Sequence, residues 1–220
     1  MNRRPTGLSY AKYTFILLIS IKHDIIMSLK EKIIHESMKL FSLKGFLSTS
    51  IDEILLASNS SKGGFYNHFK SKEELFLHVL DEARRIWRER NLEGLGRGQD
   101  PIADIKRLLV NFRDRYLKDA ENFPGGCIFI TLLVELKNQS PHLADEINTG
   151  FIGLKSMIKR LLEQGKALGQ LRQDTNTAAI SEMLFNGILG TAIAYNGQKS
   201  ETNLNLAIDV MIDYVEALEV

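Results

Sequence analysis

Ser61-Lys62-Gly63-Gly64-Phe65-Tyr66-Asn67-His68-Phe69-Lys70-Ser71-Lys72-Glu73-Glu74-Leu75-Phe76 decides how the rest of this chain is read. From Asn59 to Lys72 there are three lysines, Lys62, Lys70 and Lys72, and no acid. The chain as a whole is balanced, with 28 basic and 27 acidic side chains over 220 residues. A net charge of +1 creates no bulk attraction for nucleic acid or a membrane, so a local basic segment carries the information. Gly63 and Gly64 open a short segment holding Phe65, Tyr66 and Phe69. Each glycine costs about 1 kcal/mol relative to Ala in a helix interior. Close approach of the backbone to a partner is a reason to keep both, and a helix whose amides face phosphates supplies such a partner.

Upstream, Ser28-Leu29-Lys30-Glu31 reads as a capping box, followed by a helical stripe of Ile33, Ile34, Met38, Leu40 and Phe41. Gly45 stops that helix. Thr49 is the N-cap candidate of a second helix, with Asp52 three residues on and Ile51, Ile54 and Leu55 as its apolar face. Ser58, Asn59 and Ser60 make a turn. The third segment starts near Ser61, and Ser71 to Glu74 is a further capping box opening a long helix. Helix, tight turn and short helix form the helix-turn-helix pattern of DNA-binding proteins.

Phe41-x3-Gly45-Phe46-x2-Thr49-Ser50-x-Asp52-x-Ile54, followed by the Ser61 to Phe76 string, resembles the N-terminal domain of the TetR family of bacterial transcriptional regulators, from about Lys30 to Leu80. The family often has Ala-Gly-Val between its second and third helices, where this chain has Ser58-Asn59-Ser60. Asn tolerates the left-handed conformation, so the turn is expected to survive, slightly loosened at Ser60. The resemblance implies that Thr49, Lys62 and Lys72 contact phosphates, that Gly63 and Gly64 let the recognition helix approach base edges, and that Tyr66 and His68 lie against the DNA backbone. Lys70 reads equally well as a phosphate contact or a solvated lysine. Phe41, Phe46, Ile51, Ile54, Phe65 and Phe69 read as core.

The rest of the chain is helical by pattern, so the fold class is all-α: a helix-turn-helix domain over 28–75, then a helical effector-binding and dimerisation domain over 76–220. A linker is expected from Asn91 to Asp100. Asp100-Pro101 and Ser140-Pro141 open two helices, Gly169 ends the second, and Asp174 is expected to cap a helix from Thr175 to Tyr195. The last helix spans about 204–218. Met183, Ile188, Leu189, Ile193, Val210, Met211, Tyr214 and Val215 offer more apolar surface than one hairpin hides on one side. In the TetR family the last two helices dimerise, and a two-fold homodimer suits paired DNA half-sites. Trp87, Phe112, Tyr116, Cys127 and Phe151 are the candidate lining of an effector site for an apolar or electrophilic small molecule. The Gly125-Gly126-Cys127 segment also resembles a TetR subgroup in which such a cysteine answers electrophiles or oxidants. A helix N-terminus lowers a thiol pKa, whereas a lone Cys on an apolar helix is ordinarily a buried hydrophobe.

One cysteine excludes an internal disulfide and a cysteine-based zinc site, and the 5 His show no metal spacing. No cofactor is implied. Gly-x-Ser-x-Gly, P-loop, His-Glu-x-x-His and Cys-x-x-Cys patterns are missing, so nothing argues for an enzyme. The composition fits a reducing cytoplasm and no membrane. Residues 1–27 read as an extension upstream of the true start. Their apolar run, Thr14 to Ile21, is far shorter than the roughly 20 residues of a bilayer span. The function these readings imply is a repressor that binds a pseudo-palindromic operator as a dimer and is released by an effector. Two alternatives are an effector-independent adaptor of the same fold and a trigger based on Cys127.

Overall fold

The structure is a computed structural model that describes residues 27–96 and 100–220. The expected extension lies outside the described residues except for Met27, as do residues 97–99 of the expected linker. Among the described residues the architecture is helical, and the lone β-bridge joins Leu171 to Glu219.

α1 (Leu29–Lys44) begins at the Ser28–Glu31 capping box and ends at Gly45, whose φ of 86° needs a residue without a side chain. α2 (Ile51–Ser58) is capped by Ser50 and Glu53, and not by Thr49 and Asp52 as the sequence suggested. The Thr49 hydroxyl is already committed inside the turn, donating to the Gly45 carbonyl at 2.6 Å. Asn59 takes the left-handed conformation, φ 50°, as expected. Ser58 Oγ donates to Ile54 O at 2.7 Å and lies 3.0 Å from Ser60 Oγ, so hydroxyl bonds hold the turn in place of apolar packing. α3 (Lys62–Tyr66) is capped by Ser61, which accepts the Gly64 amide. α4 (Lys72–Asn91) is capped by Ser71. The reciprocal half of the expected box is diverted, because Glu74 accepts the Lys70 amide instead.

α5 (Pro101–Asn111) starts from Asp100 and runs into a π-helical turn over Phe112–Tyr116. α6 (Ile128–Leu136) has Cys127 at its N-cap, and α7 (Pro141–Ala167) ends before Gly169. α8 (Thr177–Gln198) is capped by Asn176 and not by Asp174, because Thr175 is drawn into a turn through its amide bond to Arg172 O. α9 (Glu201–Glu216) follows.

Phe41, Phe46, Phe65, Phe69 and Phe76 form the buried aromatic centre of the first domain, and Ile54 is buried with them. That core runs without a break into the second domain. α1 packs against α6, and α7, α8 and α9 pack in sequence. α8 is long and apolar enough to cross a membrane by length and composition, yet only 33% of its most apolar window is buried. Part of the apolar surplus expected on the last two helices is internal: Ile188, Met211 and Val215 are buried. Met183, Ile193, Leu206, Val210 and Tyr214 remain exposed.

Candidate nucleic-acid interface and ligand cavity

Burial divides the residues of the α3 region by role. Phe65 and Phe69 point inward and are essentially inaccessible, while Lys62, Gly63, Tyr66, His68 and Lys70 are exposed. Ser61 and Asn67, which sequence reasoning passed over, belong to the same surface. Tyr66 is held edge-on against Phe65, centroids 5.2 Å apart, so the outward ring has a fixed base. Among the described residues Lys62 has one loose partner, Asp52 at 3.8 Å, with both side chains solvated. Such a pair contributes little and leaves the ammonium free to meet a phosphate.

The two glycines differ. Among the described residues a Cβ on Gly63 would meet only Ser61 Oγ at 3.9 Å, so their packing does not require glycine there. A Cβ on Gly64 would lie 3.2 Å from Leu29 Cδ2, so this glycine also serves the packing of α3 on α1.

Two expected phosphate contacts are corrected. Thr49 is fully buried. Lys72 Nζ donates to the carbonyls of Phe46 and Thr49, at 2.9 Å each, and lies 4.3 Å from the Phe46 ring centre. Partial burial lowers its pKa, with Glu135 pulling it back up. Lys72 is a brace for the turn between α1 and α2. Both residues sit next to the recognition segment in sequence, and their inward orientation is a property of tertiary packing.

In the second domain a cavity of about 300 Å³ opens between α4, α6, α7 and α8. Trp87, Phe112, Cys127 and Phe151 line it, as the sequence suggested, together with Phe129, Leu154 and Ile188. Tyr116 does not. It is buried behind the wall, stacked near Phe112 and Phe129, and donates its hydroxyl to Cys127 Sγ at 3.4 Å. Burial raises the Cys127 thiol pKa, outweighing the Tyr116 bond and the α6 amides of Ile130 and Phe129, which lower it. The helix start is where the sequence placed it, but desolvation outweighs its effect on the thiol, which fits the buried-hydrophobe alternative. Sequence reasoning missed Arg84 and Arg88, which line the cavity one and two turns below α4's end. Their i, i+4 spacing around Trp87 is the signal that places all three on one face.

The cavity is linked to the DNA-facing turn through α6. Glu135 near its end accepts the backbone amides of Phe46 and Leu47, at 2.6 and 3.0 Å. Before its start, the Gly125 amide donates to Ser42 Oγ at 3.3 Å.

An exposed helix-turn-helix face joined to a helical domain that holds an apolar cavity defines a two-domain class of DNA-binding regulator. Residues 33–79 match the family model described as bacterial regulatory proteins of the tetR family, and residues 102–211 match the tetracyclin repressor-like C-terminal domain. A helix-turn-helix transcriptional regulator from the lacX 3' region of Lactococcus lactis is 39% identical over 151 residues, 68% of this chain and 74% of that protein. The transcriptional repressor NemR of Escherichia coli K12 is 23% identical over 138 residues, 62% of this chain and 68% of that one. The crystal structure of a TetR regulator from Chloroflexus aurantiacus superposes with a TM-score of 0.79 at 25% identity, covering 87% of this chain and 96% of that one. The chain belongs to the TetR family of bacterial transcriptional regulators.

Proposed function

We propose that this protein is a cytoplasmic repressor that binds a pseudo-palindromic operator as a homodimer and releases it when an apolar small molecule enters the α4–α8 cavity. The observation that carries the reading is the pairing of an outward recognition face, built on the stretch from Asn59 to Lys72 that holds lysines and no acid, with an apolar cavity in the same chain. Lys62, Gly63, Tyr66 and His68 form the DNA contact, with Gly64 allowing close approach. The exposed apolar side chains of Met183, Ile193, Val210 and Tyr214 support α8 and α9 as the dimer seam.

Release works as a population shift. The ligand favours a position of α4 and α6 in which the paired α3 helices no longer match half-sites about 34–36 Å apart. The Glu135 and Gly125 contacts carry that movement to the turn ahead of α2. The affinity difference between the two states is typically about 1–3 kcal/mol. An adaptor without an effector would have no use for an open cavity, and a Cys127 trigger is disfavoured by the buried, protonated thiol.

Selection of bound sequences from a random DNA pool, followed by sedimentation of the complex, tests the reading. Two inverted half-sites occupied by two chains is the expected result. A single half-site bound by a monomer would overturn the dimeric operator.

A further inference from the structure

Among the described residues the cavity wall carries two cations, Arg84 and Arg88, and no Asp or Glu. The two arginines differ in what already satisfies them. Arg84 is held by Asp81, by Glu146 and by Thr149 Oγ1. Arg88 is exposed, and its guanidinium has no ion pair or hydrogen bond among the described residues. Neighbouring arginines are used otherwise: Arg85 pairs with Glu82, Arg90 with Asp119 and Arg115 with Glu93. Arg88 lies in the last turn of α4, where a positive charge is favourable, but that requires only an exposed cation and not one on the rim of an apolar cavity.

We propose that the cavity takes an amphipathic anion, an apolar body among Trp87, Phe129, Phe151 and Leu154 with a carboxylate head on Arg88. A guanidinium fork receives a carboxylate through two parallel N–H···O bonds. A cationic ligand would meet the unpaired charge of Arg88, since the charge of Arg84 is already compensated by Asp81 and Glu146. A neutral one would leave Arg88 unused. The inference rests on the cavity being the effector site and adds the chemical class of the effector.

Trp87 is the one tryptophan in the sequence and lines the cavity, so its emission reports occupancy. The full chain is titrated with decanoate, decanol and decyltrimethylammonium, all below micelle-forming concentrations. Decanoate should bind at least about ten-fold more tightly than either of the others, as expected for a charge-assisted pair. Arg88→Gln should bring decanoate down to the affinity of decanol and leave decanol unchanged, and Arg88→Lys should keep part of the preference. Across shorter acids, each CH2 that enters the cavity should tighten binding about four-fold. Equal or tighter binding of the alcohol or the ammonium, an unchanged preference in Arg88→Gln, or no binding by any of the three would overturn the proposal. Operator release is read separately, by anisotropy of labelled DNA. Decanoate that binds with the predicted preference but leaves the operator bound would fault the effector reading and leave the ligand class standing.

Discussion

The carboxylate of Glu135, on α6, accepts the backbone amide of Phe46 at 2.6 Å across 89 positions of sequence. The same carboxylate accepts Leu47 at 3.0 Å and lies where a side chain on Gly45 would be. One acid from the cavity-forming helix therefore caps the turn that aims the DNA-binding helices. Glu135→Ala should leave two amides without their charged acceptor and lower stability by about 2 kcal/mol. Glu135→Gln, which keeps one acceptor oxygen, should lose less. Operator affinity should fall in the same order. Urea unfolding and DNA titration measure the two effects, and an unchanged operator affinity in Glu135→Ala would dissociate α6 from the DNA-binding turn.

Gly63 and Gly64 give separable outcomes. Gly63→Val places its side chain outward into open space, so the thermal midpoint should stay close to that of the parent while operator binding is lost. Gly64→Val forces a methyl group against Leu29 and should lower the midpoint as well. Paired melts and DNA titrations decide this, and a folded Gly63→Val protein with full operator affinity would remove α3 from the interface.

Lys62 and Lys72 are both lysines of the acid-free stretch, but they should behave as different kinds of residue. Lys62→Ala should weaken binding to all DNA sequences and reduce the salt slope of log K by about 1. Lys72→Met removes two bonds to carbonyls and a cation–π contact with Phe46. It should cost about 1–2 kcal/mol of stability and leave the salt slope almost unchanged. Salt titrations of the two variants side by side test the assignment.

The contrast between these lysines shows what could be read in the sequence. Period and caps place the helices: Ser28, Asp100 and Gly169 act where local pattern puts them. The inward aromatic residues of α1 to α3 follow from the same pattern. Direction across the fold does not. Thr49 and Lys72 lie beside the recognition segment and face the interior, because Gly45 O and the turn carbonyls offer them partners that sequence spacing does not reveal. Tyr116 carries an aromatic side chain like its neighbours, yet it lies at the end of the π-helical turn and is buried behind the cavity wall. Arg88 was hidden for the opposite reason, since an exposed arginine on a helix is ordinary until a cavity is known beside it.

Acid stability should report the α2 cap. Hydrogen bonding to Lys44, and then to the Ser50 amide and hydroxyl, holds the Glu53 carboxyl at about 2, against an ordinary 4.5. A carboxyl depressed in the folded state contributes stability above its unfolded pKa and loses it as pH falls through the folded value. The Glu53 contribution should therefore be complete above pH 4.5 and vanish progressively towards pH 2. Glu53→Gln should flatten that part of the profile and leave the neutral-to-alkaline side unaltered. Thermal melts across this window check it, and identical acid slopes in the two proteins would show that Glu53 is not the group responsible.

Cys127 decides whether the cavity can answer electrophiles directly. The side chain is 4% exposed, its thiol pKa is raised by burial, and it accepts a hydrogen bond from Tyr116. Only the thiolate is the nucleophile, so a protonated, inaccessible sulfur is slow for two independent reasons. Iodoacetamide at neutral pH should modify the folded protein far more slowly than the same chain in urea, with the operator staying bound throughout the exposure. Tyr116→Phe removes the donor that lowers the thiol pKa, so alkylation should become slower still provided the wall stays closed. An increase in rate would instead mean that Tyr116 mainly shields the sulfur. If wild-type Cys127 reacts in the folded protein as fast as in the unfolded chain, and DNA is released as it does, the burial argument is wrong and the cysteine is the trigger. Slow reaction with DNA retained leaves Cys127 as a wall residue, whose role is to close the cavity beside Phe129 and Ile130.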